Sequence, residues 1–234
     1  MAAIGALKTR EPARRPTVAD GVFDLLHRRI LTLDLPPGTR LSEAEVAQAM
    51  SVSRQPVRDA FYRLSKLGFL TIRPQVATEI APISAAAVLQ ARFIRAAIEA
   101  ETAKAAATAL SEEDHQALRA LLERQRSAVE TRDKSAFHAL DDQFHKEICI
   151  RSGHAFAWET IREHKAHMDR VRYLSLAFAS EEAFEDHQAL MSALEARDPE
   201  GAHALMHHHL GHMREQIVRI RAEHSRFFTE EDDD

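Results

Sequence analysis

Residues 41–70, "LSEAEVAQAMSVSRQPVRDAFYRLSKLGFL", decide how the whole chain is read. Ser42 and Glu45 have the S-x-x-E form of a capping box, which predicts one short helix; Ser53 is placed to cap a second. Pro56 falls in the first turn of that second helix, where its missing N–H removes no intrahelical bond, and Gly68 closes it. Only "MSVS" separates the two. Counting Glu43 as one, Ala47 is at place five, Ser51 at nine and Val57 at fifteen. Small residues at the first two places let helices cross closely, and an apolar third anchors the second helix to a core. This is a helix-turn-helix pattern.

Upstream, "VADGVFDLLHRRILTLDL" spaces Val22, Leu25, Leu26, Ile30 and Leu33 as one helix face, and "LPPGTRL" ends that helix. Downstream, "FLTIRPQVATEIAPI" alternates apolar and polar residues about a Pro-containing loop, the pattern of a small hairpin. Residues 18–83 therefore read as a winged helix-turn-helix, preceded by a flexible arm over 1–17. After Ser84 no strand pattern recurs. Caps and breaks predict about six helices, starting near Ala85, Glu112, Lys134, Ala155, Glu181 and Pro199, with Ser111/Asp114 and Asp198/Pro199 as the clearest starts. An all-helical domain over 84–226 and an acidic tail over 227–234 complete a mostly α chain, as expected for 234 residues with only seven Gly and eight Pro.

Composition excludes several classes. No window approaches the ~18–20 apolar residues of a membrane span, and no signal-peptide core begins the chain, so a cytoplasmic protein without membrane association is expected. The single Cys149 rules out an intrachain disulfide and a Cys-based zinc site; it reads as a small buried apolar residue. The net charge of −5 is unevenly spread. Residues 1–80 carry 12 Lys and Arg against 8 Asp and Glu, hence +4, while the remainder carries 19 against 28, hence −9. The N-terminal third is the part suited to a polyanion.

A helix that enters the major groove needs polar, cationic residues at its N-terminal end. Here that end holds Ser53, Arg54, Gln55 and, one turn on, Arg58. Arg54 and Arg58 share a face and are the candidates for base-edge contact. Ser53, Gln55, Arg40 and the Arg28/Arg29 pair are candidates for the DNA backbone. Two arginines on an arbitrary helix would be solvated surface; their place after a capped helix-turn-helix and before a wing gives them another meaning.

With these residues in view, "LPPGTRLSEAEVA" and "SRQPVRDAFYRLSKLGFL" resemble the DNA-binding domain of GntR-family bacterial transcription regulators. The helical remainder resembles the FCD effector domain of the FadR branch. The resemblance implies a homodimer gripping a pseudo-palindromic operator, usually as a repressor, with Arg54 and Arg58 on the DNA. Ala44 stands where some members carry a further arginine, and the wing tip "RPQVA" lacks the glycine many members have.

The chain's 14 histidines raise a separate question. In the last helix Ala202, Leu205, Met206, His209, Met213, Ile217 and Ile220 form one apolar stripe, which includes His209 but not His207, His208 or His212. In "AFHALDDQFHKEI" the stripe is Phe137, Leu140, Asp141, Phe144, His145 and Ile148, with Asp142, His138, Lys146 and Cys149 on the other side. In "EAFEDHQALMSAL" it is Phe184, His187, Met191 and Leu194. Three histidines and one carboxylate thus point into one core from three helices. A lone inward histidine is more often a hydrogen-bonded core residue than a ligand, whereas an unpaired inward aspartate is costly. Asp141 and His145, four residues apart, can chelate one ion, and imidazole with carboxylate suits Zn²⁺, with Ni²⁺ and Mn²⁺ as alternatives.

The resemblance adds that one group of FCD domains uses Asp, His four residues on, and two later His as metal ligands, which map to Asp141, His145, His187 and His209. The surface pairs His203/His207 and His208/His212 fall outside that set. A small organic acid is the expected effector, bound at the ion with its remaining charge met by Arg95 or Arg172; an ordinary interhelical ion pair is the alternative for either arginine. Two other readings stand beside a ligand-responsive regulator: a repressor that senses the metal itself, and a metal-dependent enzyme, which would lack a placed general base and leave the winged domain without purpose.

Overall fold

The computed structural model describes residues 16–73 and 77–229. The arm over 1–15, the wing tip Pro74–Val76 and the acidic residues 230–234 lie outside the described residues.

The described chain divides into two compact units, one of residues up to 29 with 39–81 and one of 30–38 with 82 onward. In the first, α1 (Val18–Leu31) is followed by α2 (Glu43–Ala49) and α3 (Arg54–Lys66). Thr17 was expected in the arm, yet it starts α1: its Oγ1 accepts from Asp20 N at 3.1 Å while Asp20 Oδ2 accepts from Thr17 N at 2.8 Å. Leu33 lies beyond the helix in a left-handed turn and Leu25 is exposed, so α1 uses Val22, Leu26 and Ile30 as its buried stripe. Asp20 also takes Arg63 of α3 at 2.9 Å, and that guanidinium covers the Phe23 ring at 4.0 Å.

Neither Ser42 nor Ser53 makes the side-chain cap bond expected of it, although both occupy N-cap positions in extended conformation. The turn is instead fixed at the end of α2, where Ser51 N and Val52 N donate to Gln48 O and Ala47 O at 3.1 and 3.0 Å. This Schellman closure places Ser51 at φ 54°, a left-handed position that favours glycine. Gly68, at φ 75°, closes α3 in the same way. Ala47 and Val57 are buried, as their places in the motif require.

The wing is a three-stranded sheet where a hairpin was expected. β1 (Arg40–Leu41) joins β2 (Leu70–Arg73) and β3 (Ala77–Ile80) in the order β1-β3-β2, all antiparallel, with Arg40 opposite Glu79 and Thr71 opposite Glu79 on the other side. Two residues are too few to leave a period-two signal in sequence.

The second unit holds α4 (Ala85–Ala109), α5 (Glu112–Glu130), α6 (Lys134–Arg151), α7 (Ala155–Ser175), α8 (Ser180–Glu195), α9 (Pro199–Gly211) and α10 (Met213–Glu223). Six helices were expected; His212 interrupts the last one, giving seven among the described residues. Ser111 and Asp114 form the reciprocal capping box of α5, and Asp198 caps α9 with Pro199 in its first turn. Phe137, Leu140, Phe144, Ile148, Met191, Leu194, Ala202 and Met206 enter one apolar core with α4 and α5.

Residues 227–229 are packed, not a tail. Ile83 N donates to Phe227 O at 2.7 Å, Thr229 N donates to Ile83 O at 3.0 Å, and Phe228 is buried with Ile83 beside α4, α7 and α10. Two adjacent aromatics ahead of the acidic run were the overlooked signal: burying one contributes about 2 kcal/mol, which adds to the two backbone hydrogen bonds with Ile83 in offsetting the ordering of this short segment.

Candidate metal centre and DNA-binding face

The inward stripes of α6, α8 and α9 bring Asp141, His145, His187 and His209 together. One donor atom from each lies within 4.8 Å of all the others. The three imidazole rings stand 4.7–5.2 Å apart, centroid to centroid. Asp141, His145 and His187 are buried, and His209 is nearly so.

Each ring has one nitrogen close to a polar group behind it, hydrogen-bonded in His187 and His209 and in ion-pair contact without hydrogen-bond geometry in His145. His187 Nδ1 is 2.8 Å from Gln125 Oε1, His209 Nδ1 is 3.1 Å from Asp186 Oδ2, and His145 Nδ1 is 2.5 Å from Glu99 Oε2. Such partners fix tautomer and ring orientation and leave Nε2 facing inward. The Nε2 atoms of His145 and His187 are buried without a hydrogen-bond partner, each 3.8 Å from an Asp141 oxygen. That gap exceeds a hydrogen bond, but it matches two donors each about 2.0–2.2 Å from a shared ion. The donor set fits a borderline divalent cation on both counts.

Burial, then the charges of His209 and His145, pushes the His187 pKa well below its usual value. Burial also lowers His209, against the opposing pull of Asp186. Both are thereby held in the neutral form that coordinates metal. Burial alone would raise Asp141; the Arg172 guanidinium and the three imidazoles overcome it and keep the carboxyl well below the ordinary range.

Gln125, Glu99 and Asp186 were not singled out from sequence, though signals existed. Glu99 is four residues after Arg95 on the same inward face of α4, and Gln125 continues the buried stripe of Leu118, Leu121 and Leu122 on α5. Asp142 was placed on an outer side of α6, but that side meets α7. Asp142 lies 2.7 Å from Lys165 Nζ and accepts from Arg172 at 2.9 Å, beside buried Asp169, and Cys149 is fully buried against Ala157, Trp158 and Ile161.

Arg95 and Arg172 both line a cavity of about 40 Å³ next to the cluster, with Asp141, His209, Ser175 and Gln216. Both are already paired. Arg95 binds Glu99 through Nε at 2.5 Å and through a second nitrogen at 3.2 Å, while Arg172 contacts Asp141 and donates to Asp142 and Asp169 at 2.9 Å each.

In the first unit Ser53, Arg54, Gln55 and Arg58 are all exposed on the first turns of α3. Gln55 bonds Asp59 at 2.9 Å, and Arg58 reaches Glu43 at a loose 3.4 Å. Arg40 is exposed on β1 and paired to Glu79 at 3.0 Å; Arg28 and Arg29 are exposed on the last turns of α1. Surface pairs of this kind contribute little and exchange readily for phosphate.

Residues 18–80 match the gntR family of bacterial regulatory proteins, and residues 90–212 match the FCD domain. The chain is 39% identical over 227 residues to the HTH-type transcriptional repressor RspR of Escherichia coli K12, covering 95% of this chain and all of that one. It is likewise 39% identical to the uncharacterized HTH-type transcriptional regulator YdfH of E. coli O6:H1, covering 92% and 96% of the two chains. The solved structure of E. coli McbR/YncC superposes with a TM-score of 0.71 at 24% identity, covering 89% of this chain and 99% of that one, which shows a shared fold. The chain belongs to the gntR family of bacterial regulatory proteins and carries an FCD domain as its second half. It is a DNA-binding transcription regulator and not an enzyme. Among the described residues no helix is long and apolar enough to cross a membrane.

Proposed function

We propose that this chain is a cytoplasmic operator-binding repressor that works as a homodimer, holds one divalent ion with Asp141, His145, His187 and His209, and responds to a small organic acid bound beside that ion. One observation carries the reading: two buried Nε2 atoms without hydrogen bonds face an ionised carboxylate at 3.8 Å, with Gln125 hydrogen-bonded behind His187 and Glu99 in ion-pair contact behind His145. Leaving such groups unpaired costs about 1–3 kcal/mol each, and a cation answers all of them at once. Zn²⁺ suits the donor set best, followed by Ni²⁺ and Mn²⁺. Bound there, the ion supplies open coordination positions for an anionic oxygen.

The chain's own residues do the rest. The adjoining cavity has room for about three water-sized groups, the bulk of one carboxylate. Arg172 can turn one N–H from Asp141 to an incoming anion while Asp142 and Asp169 keep it in place, and Arg95 borders the same space. Arg54 and Arg58 read base edges; Ser53, Gln55 and Arg40 hold the DNA backbone. Repression as the default action is supported by the description of the 39% identical RspR as a repressor. Effector and operator affinities are linked reciprocally. The depth of burial of the ligands favours a resident ion over one that is itself the signal.

The test uses the full chain in operator shift assays, metal-loaded and chelator-stripped, with and without hydroxy acids, sugar acids and dicarboxylates. One acid class should change operator affinity only in the metal-loaded protein. A His187→Ala variant should bind the inner ion more than ~100-fold more weakly, beyond the loss caused by removing one of a ligand's supporting partners. Undiminished metal content in that variant would overturn the ligand assignment.

A further inference from the structure

The histidine-rich end of α9 carries a second set of donors that the proposed centre does not use. His208 and His212 stand one turn apart with ring centroids 4.7 Å from each other. Asp186 of α8 lies across from them, its Oδ2 3.1 Å from His212 Nε2, and one donor atom from each of the three residues lies within 4.8 Å of the other two. We propose that Asp186, His208 and His212 form a second, solvent-accessible site for a divalent transition ion of the Zn²⁺ or Ni²⁺ class.

Two imidazoles and one carboxylate make the three-ligand set of an open zinc site, with water completing the shell. Accessibility is built in: His208 is exposed, while the side chains of Asp186 and His212 are 16% and 17% exposed. Glu182, one turn before Asp186, places Oε1 3.7 Å from His212 Nδ1 and adds a further carboxylate at the rim. A contrast within the same unit supports the assignment. His138, Asp142 and Asp169 are clustered just as tightly, but Lys165 and Arg172 already neutralise both of those carboxylates. Asp186 instead faces imidazoles, from His209 at 3.1 Å and from His212.

Asp186 therefore belongs to both sites. Asp186 Oδ2 meets both His209 Nδ1 and His212 Nε2 at 3.1 Å, so an outer ion held by His208 and His212 either takes the second oxygen, Oδ1, or draws Oδ2 from His209. The outer ion fixes Asp186, and Asp186 fixes the ring of an inner ligand, so each ion's affinity depends on the other's presence. The outer site stands on residues other than the four inner ligands, and its existence does not rest on theirs.

Chelator-stripped full-length protein is titrated with Zn²⁺ against a chromophoric chelator. Wild type should take up two ions per chain, a His208→Gln/His212→Gln double variant one, and His187→Gln one. His207→Gln, on the neighbouring face, should keep both. A double variant that retains wild-type stoichiometry overturns the outer site. A single wild-type ion that survives in the double variant does so too, whereas a single ion lost there but kept in His187→Gln upholds the outer site and overturns the inner one. Asp186→Asn should lose the outer ion and weaken the inner by ~10–100-fold; unchanged inner affinity would refute the sharing. In wild type, Zn²⁺ should protect His208 and His212, but not His207, from diethyl pyrocarbonate, and equal labelling with and without Zn²⁺ would count against the site without relying on any variant's folding.

Discussion

The helix-turn-helix unit and the helical bundle differ in where the charges of their candidate sites lie. In the first, Arg28, Arg29, Arg40, Arg54 and Arg58 are all exposed, and the carboxylates that Arg40 and Arg58 meet, Glu79 and Glu43, are themselves partly exposed. In the second, Arg95, Lys165 and Arg172 are buried with Glu99, Asp141 and Asp169. An exposed cation is free to exchange its partner for a phosphate, so the first unit has a cationic face for an external polyanion. A buried charge is fixed by its partners, so the core of the second unit holds a closed ionic network. One chain thus carries exposed arginines in its first unit and a buried ionic network in its second.

Four measurements would break or sharpen this contrast. The largest effect is expected in the core: Gln125→Leu, which removes the brace behind His187, should weaken the inner ion by ~10–100-fold in a chelator competition while operator binding by metal-loaded protein is kept. Wild-type metal affinity in that variant would mean that the ring does not need its partner. On the surface, Arg54→Ala and Arg58→Ala should each cost about 1–3 kcal/mol in operator affinity. Their melting temperature should hardly move, since exposed substitutions change stability by ~0.5 kcal/mol or less. A large loss of stability would show that these arginines support the fold.

Acid comes next. Burial holds His187 and His209 below their usual value of 6.5, so the folded state refuses protons that the unfolded chain accepts. The stability of metal-stripped protein should then be complete well above pH 6.5 and fall below it, at up to about 1.4 kcal/mol per pH unit for His187, whose shift is the larger, with a smaller addition from His209. Asp141 and Glu99, kept ionised against burial by Arg172 and Arg95, should add a further loss below their ordinary values of 3.8 and 4.5. Urea unfolding across this range is the check; a flat profile between about pH 8 and 5 would contradict the buried neutral imidazoles. The smallest effect lies in the turn, where Ser51→Gly should relieve the left-handed strain at φ 54° and raise the unfolding free energy by up to about 1 kcal/mol.

Legibility differed between the two units for physical reasons. Ala47, Val57 and Gly68 could be assigned from spacing because a helix-turn-helix is local, whereas β1 escaped because its pairing with Glu79 and Thr78 gives a two-residue strand no periodicity. Asp141, His145, His187 and His209 could be placed on inward stripes because 3.6-residue periodicity is also local. The partners could not. Gln125 meets His187 across 62 residues and Asp186 meets His209 across 23, distances over which only helix packing chooses neighbours. The same limit put Asp142 on a free face: stripe analysis shows where a helix is apolar, not that α7 covers its polar side with Lys165 and Arg172.

The amino-acid order alone determined a helix-turn-helix head, a helical second half and the inward direction of four donor side chains, because caps, turns and helical phase act over a few residues. The packing of α4 through α9 decided that those four donors meet, that Glu99, Gln125 and Asp186 stand behind the rings, and that Asp186 also reaches His212. Convergence from separate helices depends on how whole elements are packed against one another, and no local pattern encodes it.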